Sequence, residues 1–427
     1  MGGSGIVQPA QTGLVGYFDV PNSSRTVSPV TGKVPQWNTL AGSSNAVQAT
    51  VADQPKNLGD AFFSEGLNSG WSISVPIDRR SFSIFLVVKA TAPGVQQILL
   101  TTGSIAFQTQ FNGGKFQLYD GAAFVDSGLT VSSGYQLYGV SSSATSLDFY
   151  VGNLSASRSA LSAGSHTLTN MFNSGADFSF RGYVKAVLIY NRPVAIAEVK
   201  AYLDAKVAQS NPAYSLPTLK RVLFDGNSLV RGFRATNADT NFPGQCLSSL
   251  GSEWHGFNFG VDGQITPNMT ADAAVQVDSL KRAELTKDVV VAWEATNDLF
   301  FGASAATAFS NLKAYCQARK AAGFKVVVLT VLPRSSAGTP AGYEAARQAL
   351  NSSLRADFNV ASGSTNVLLP APGIAYADAL ADVAADTRIG DAGDEANATY
   401  YFADLVHLNN TGYGIVAAIA KDAVLAV

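Results

Sequence analysis

Hydrophobic and polar positions follow two different patterns along the chain. Up to about residue 209, short apolar or alternating runs are separated by Gly, Ser, Thr and Asn. Examples are residues 13–18, 82–88, 97–101, 115–119, 137–140, 147–151 and 183–190. Many short strands divided by turn residues predict an all-β sandwich of the jelly-roll kind. Only residues 193–207 break the pattern, where Ile196, Val199 and Leu203 recur at helical spacing in an Ala-rich stretch, which predicts a helix. Residues 210–218, SNPAYSLPT, carry two prolines and small polar residues, and are expected to form a semi-rigid linker.

From residue 219 onward the pattern changes. Apolar runs at 222–224, 256–259, 289–293, 325–332 and 366–369 alternate with helical patterns. Residues 305–322 place Phe309, Leu312 and Cys316 on one face, and 342–358 repeat Ala346, Leu350, Leu354 and Phe358 at four-residue steps. A small-residue helix is expected to close the chain from Gly412. Continuous apolar strands between helices predict a parallel sheet covered on both faces, an α/β/α three-layer (flavodoxin-like) unit over 219–427. In such a sheet the working groups lie on loops beyond the C-terminal ends of the strands.

Composition narrows the functional classes. A chain of 427 residues suggests about two domains, and 47% apolar against 14% charged residues describes well-packed globular units. A net charge of −2 without a basic run gives no reason to expect nucleic acid as a partner. No apolar run reaches the roughly 18–20 residues a membrane span requires. The opening MGGSGIVQPAQTG has neither a basic nor an apolar leader region, so no signal peptide is read there. The expected setting is nevertheless secreted or virion-associated. Cys246 and Cys316 form no metal-ligand spacing and read first as buried thiols, with one disulfide as the alternative. No cofactor or metal is expected, because no Cys/His/carboxylate cluster is spaced to hold one.

The candidate chemistry starts at Arg221-Val-Leu-Phe-Asp-Gly226-Asn227-Ser228, a buried strand running into a polar turn. A serine there is backed by the sheet and faces solvent at a helix start, where backbone donors favour developing negative charge. Alone, Gly-Asn-Ser is ordinary turn chemistry. A serine nucleophile is most often activated by histidine, and this half holds only His255 and His407. His255 begins a strand, at the end away from the working loops, and reads as structural. His407 follows Asp404 by three residues, so one helical turn would put acid and imidazole on the same side, as a triad needs.

Four segments together resemble the SGNH (GDSL-type) hydrolase superfamily across this whole half. They are Gly226-Asn227-Ser228; Asn258-x-Gly260-x-x-Gly263-x-x-Thr266; Ala295-Thr296-Asn297-Asp298; and Asp404-x-x-His407, followed by Asn409, Gly412 and Tyr413. Asn227 stands where Asp is commoner, and Ala295 where the family has glycine, so that loop must accept a Cβ. The resemblance implies Ser228 as nucleophile, His407 as base and Asp404 as its orienting acid. It also implies an oxyanion hole built from the Ser228 and Gly263 backbone N–H groups and the Asn297 side-chain amide. Gly263→Ala is expected to act by steric intrusion.

In the first half, Gly182-Tyr-Val-Lys-Ala-Val-Leu-Ile-Tyr-Asn-Arg192 and the helix ending at Lys206 resemble the close of a concanavalin A-like (LamG-type) jelly roll, placed at 1–209. Relatives of that fold bind glycans or cleave glucans. Glycoside cleavage needs two suitably spaced carboxylates, and the half has just two glutamates, Glu65 in an expected loop and Glu198 on the terminal helix. Binding is therefore the expected role. Trp37, Trp71, Tyr119 and Tyr150 are sugar platforms or core residues, and His166 is expected in a surface loop. Together the halves imply a serine esterase removing acyl groups, O-acetyl first, from an acylated polysaccharide. The alternatives are a lipase-like or general carboxylesterase, or a non-catalytic glycan-binding surface or virion adhesin.

Overall fold

The computed structural model describes residues 9–19, 25–26, 36–41, 44–49, 55–57, 61–65, 70–91, 94, 96–102, 107–132, 134–172, 179–208, 220–274 and 276–427. The chain divides into two compact units, Met1–Ser215 and Leu216–Val427. The expected linker, 210–218, lies outside the described residues.

The first unit holds two antiparallel sheets of eight and nine strands among the described residues. All seven strand segments expected from the sequence are present, from Leu14–Asp19 to the fully buried Arg181–Tyr190. Strand Trp71–Asp78 alternates strictly, burying Trp71, Ile73, Val75 and Ile77. These side chains share one apolar core with Phe82, Ile84, Leu86 and Val88 of the other sheet. Trp37 and Trp71 lie in that core, fully buried and 5.4 Å apart by ring centroids, so neither is a sugar platform. Tyr119 is half-buried, and its ring lies tilted against the exposed Phe124 at 4.8 Å. His166 is not in a loop: it lies in strand Ser165–Met171, opposite Ile77. Glu65 ends strand Phe62–Glu65. Residues 193–199 form only a 3-10 turn, and the helix proper runs Lys200–Ala208.

Among the described residues, the second unit is built on one seven-stranded sheet. Its strands are β1 (Lys220–Gly226), β2 (Trp254–Asn258), β3 (Lys287–Trp293), β4 (Lys325–Leu329), β5 (Val360–Ala361), β6 (Val367–Leu369) and β7 (Ala379–Ala381), in spatial order β2-β1-β3-β4-β7-β6-β5. The expectation of a parallel sheet holds for five strands and fails for the last two. β6 runs antiparallel to β7, and β5 antiparallel to β6, so the sheet is mixed. The sequence also did not reveal β7, which lies between β4 and β6: Ala-Leu-Ala has little β propensity and is held in place by these neighbours.

The helices are α1 (Ser228–Arg231), α2 (Phe242–Leu250), α3 (Thr266–Asp272), α4 (Thr296–Phe300), α5 (Ala305–Ala321), α6 (Tyr343–Asp357) and α7 (Asn410–Ala426). α5 buries Leu312 and Cys316, and α6 buries Leu350 and Leu354, as their spacing requires. Cys246 and Cys316 are both free and buried. No helix among the described residues is long and apolar enough to cross a membrane.

Candidate active site

The C-terminal ends of β1, β2 and β3 deliver three of the four loops singled out in the sequence. β1 is buried from Arg221 to Gly226 and stops abruptly. At Gly226, φ is +153°, and a Cβ would come within 2.0 Å of the Trp293 carbonyl on β3. Only glycine lets the strand end this close to its neighbour. Asn227 then caps α1, its side chain accepting from the Leu229 N–H at 2.9 Å. The Asn found here in place of Asp thus has a structural task that its amide oxygen performs. Ser228 opens α1, a single turn of four residues.

The last loop brings its groups to the same place. The Ser228 hydroxyl lies 2.8 Å from His407 Nε2, and His407 Nδ1 lies 3.0 Å from Asp404 Oδ2. Asp404 Oδ1 accepts from the backbone N–H groups of Val406 and His407 at 3.2 and 3.0 Å, which fixes the carboxylate beneath the ring. The stretch from Asp404 to His407 is not the helical turn expected from its spacing. It is a tight loop that puts Leu405 at φ +59° and passes the Leu405 carbonyl to the Ser335 N–H. Burial alone would raise the Asp404 pKa, but the hydrogen bonds from His407 and from Arg234 outweigh it and hold the carboxyl well below the usual range.

The second and third loops meet each other. Asn297 Nδ2 donates to the Gln264 carbonyl at 2.8 Å, and Asp298 Oδ2 accepts from both the N–H and the hydroxyl of Thr266, at 2.9 and 3.0 Å. Gly263 lies beside Gln264, exposed, with φ +68°. A Cβ there would meet nothing within 4 Å, so the expected steric intrusion by Gly263→Ala has no basis in the protein itself; the cost is in the backbone. Ala295 does adopt the glycine conformation, φ +86°, and its methyl packs in the cluster of Leu299, Ala308, Val331, Tyr343 and Leu350. That packing offsets the roughly 1–2 kcal/mol a left-handed non-glycine residue costs.

Further residues, most of them not singled out in the sequence, support these groups. Arg234 Nε donates to Asp404 Oδ2 at 3.1 Å. The Phe233 ring stands edge-on to His407 at 4.8 Å, and the buried Tyr413 hydroxyl donates to the Phe233 carbonyl. Arg334, in the loop after β4, lies 3.4 Å from Asn297 Oδ1 through Nη1. Behind the turn, Asp225 and Glu294 are buried carboxyls. Burial pushes Asp225 up to about 7, against the Tyr315 hydroxyl that donates to it, and pushes Glu294 well above the carboxylate range. His255 sits at the opposite end of the sheet, near the start of β2 and paired with Arg221.

Residues 224–415 match the GDSL-like Lipase/Acylhydrolase family. The second unit is a GDSL-like acylhydrolase domain. This domain carries all four loops described above. Among solved structures, the chain is similar to a GDSL-like lipase from Bacteroides thetaiotaomicron (18% identity, 54% of this chain and 98% of that one, TM-score 0.35). It is also similar to a carbohydrate acetylesterase family member from Sinorhizobium meliloti (16%, 47% and 95%, TM-score 0.35). A third is a member of the lipolytic G-D-S-L family from Veillonella parvula (16%, 47% and 96%, TM-score 0.35). No curated protein matches the chain. The GDSL-like domain holds no group of three or more His, Cys, Asp or Glu residues arranged for a metal, among the described residues.

Proposed function

We propose that the GDSL-like domain is a serine esterase in which Ser228, His407 and Asp404 act as the triad. The observation that carries this reading is the unbroken relay from the Ser228 hydroxyl through both nitrogens of His407 to Asp404, at 2.8 and 3.0 Å. Ser228 Oγ attacks the ester carbonyl while His407 Nε2 takes its proton. The tetrahedral intermediate collapses as imidazolium returns that proton to the departing alkoxide, leaving an acyl-serine that water clears by the same route. Asp404 holds the tautomer with the proton on Nδ1 and stabilises the imidazolium. The Ser228 and Gly263 N–H groups and Asn297 Nδ2 serve as the oxyanion hole.

The proposed substrate is an O-acetylated polysaccharide. A general carboxylesterase would use the same relay, and the preference for a glycan comes from the unit joined to it. That unit, 1–209, is proposed as a concanavalin A-like (LamG-type) jelly roll that raises the local concentration of substrate. Two antiparallel sheets sharing one core support the fold, and the Tyr119–Phe124 pair is an aromatic surface open to a sugar. For the hydrolase unit, 219–427, the parallel order β2-β1-β3-β4-β7 supports the three-layer flavodoxin-like reading. Acetate release from a panel of acetylated polysaccharides, against long-chain acyl esters, tests the substrate. Release of acetate by wild type and not by Ser228→Ala is expected, and a preference for long-chain esters would overturn the reading.

A further inference from the structure

The loop after β4 places a cation beside the proposed oxyanion site without an ion-pair partner among the described residues. Arg334 is half-buried; its guanidinium stacks on the Phe300 ring at 4.1 Å and donates through Nη2 to the Ser336 hydroxyl at 3.1 Å. Its nearest polar contact toward the site is the neutral Asn297 amide oxygen. No carboxylate among the described residues pairs with it, whereas each of the other two arginines at the site has one: Arg231 pairs with Asp262, and Arg234 with Asp404. The Arg334 loop is fixed against the His407 loop by the Ser335 N–H bonded to the Leu405 carbonyl. Arg334 therefore lies next to Asn297, in a loop bonded to the Asp404–His407 loop.

A guanidinium taken partly out of water costs free energy unless an anion meets it, and burial lowers the Arg334 pKa although the charges of Tyr343 and Asp404 act to raise it. Its fork geometry matches a carboxylate, and N–H donors not used by Ser336 and Asn297 remain for one. A second cation on aromatic rings lies beside Asp404, with Arg234 4.4 Å from the Phe233 ring centroid and 4.7 Å from that of the exposed Phe402. An acetyl group has no carboxylate to offer, so an anion that meets Arg334 belongs to the alcohol part of the ester.

We propose that Arg334 binds a carboxylate on the alcohol part of the substrate, so that the ester cleaved is that of an acidic sugar. This rests on the esterase reading above and narrows its substrate class. The test compares kcat/KM for 3- and 4-acetoxybenzoate with that for their neutral methyl esters. In Arg334→Gln the acid-to-neutral ratio is expected to fall about ten- to a hundredfold, the worth of a charge-assisted hydrogen bond, chiefly through KM for the acids. Arg334→Lys is expected to keep most of the ratio. A ratio unmoved in Arg334→Gln, with both ester types slowed together, overturns the anion subsite and leaves Arg334 serving Asn297 alone. Hydrolysis of both ester types that survives Ser228→Ala counts instead against the esterase reading.

Discussion

Asn297 donates its side-chain N–H to the Gln264 carbonyl at 2.8 Å, and this bond ties the loop after β3 to the loop after β2. An amide held in that way has its oxygen turned toward Arg334 and its second N–H left for the substrate. Asn297→Ala is expected to lower kcat by about 10²–10³ with a small change in KM, because the donor acts on charge that develops only in the transition state. Steady-state kinetics on p-nitrophenyl acetate checks this; an equal rise in KM with kcat unchanged would assign Asn297 to ground-state binding.

Asp404 remains ionised across the ordinary working range of pH, because its hydrogen bonds hold its pKa far below the usual range. The acid limb of the kcat/KM profile is therefore expected to carry no ionisation from Asp404. Asp404→Asn should cost on the order of 10⁴ in kcat, since an amide can present a donor to Nδ1 and favour the wrong tautomer. A profile with two acid ionisations would contradict the assignment of Asp404.

Gly263→Ala meets no neighbour but forces a Cβ onto a residue at φ +68°. A loss of about 1–2 kcal/mol in unfolding free energy is expected, with Gly263→Asn milder because Asn tolerates this region. Urea unfolding of the two variants checks the order.

The framework of the site was legible in the sequence because each of its parts needs a particular residue type in a fixed local order. Gly226, Ser228, Asn297, Asp404 and His407 all lie where strand ends and a helix start put them. The mixed edge of the sheet was not legible, since Ala379–Ala381 is a strand only by virtue of its partners. Arg234 and Arg334 were invisible for a related reason: arginine in a polar loop carries no pattern, and its role depends on which loops meet. The buried position of Trp37 and Trp71 likewise follows from packing between sheets and not from local sequence.

Asp225 gives a stability test independent of turnover. Its pKa is raised from 3.8 to about 7 by burial, so the unfolded chain gives up this proton before the folded one. Between those values, rising pH favours the unfolded state, and the cost is complete above the folded pKa. Asp225→Asn removes that cost while its amide oxygen still accepts from Tyr315. From about pH 4 to about pH 8, Tm of the variant relative to wild type is expected to shift in the variant's favour. Parallel profiles would place Asp225 in its ionised form throughout.

The role of Ser228 is tested most directly by p-nitrophenyl acetate hydrolysis, measured on wild type and Ser228→Ala with folding checked by circular dichroism. Wild type is expected to turn over and the folded variant to lose at least about a thousandfold in kcat. Turnover that persists in folded Ser228→Ala would contradict a nucleophile at this position.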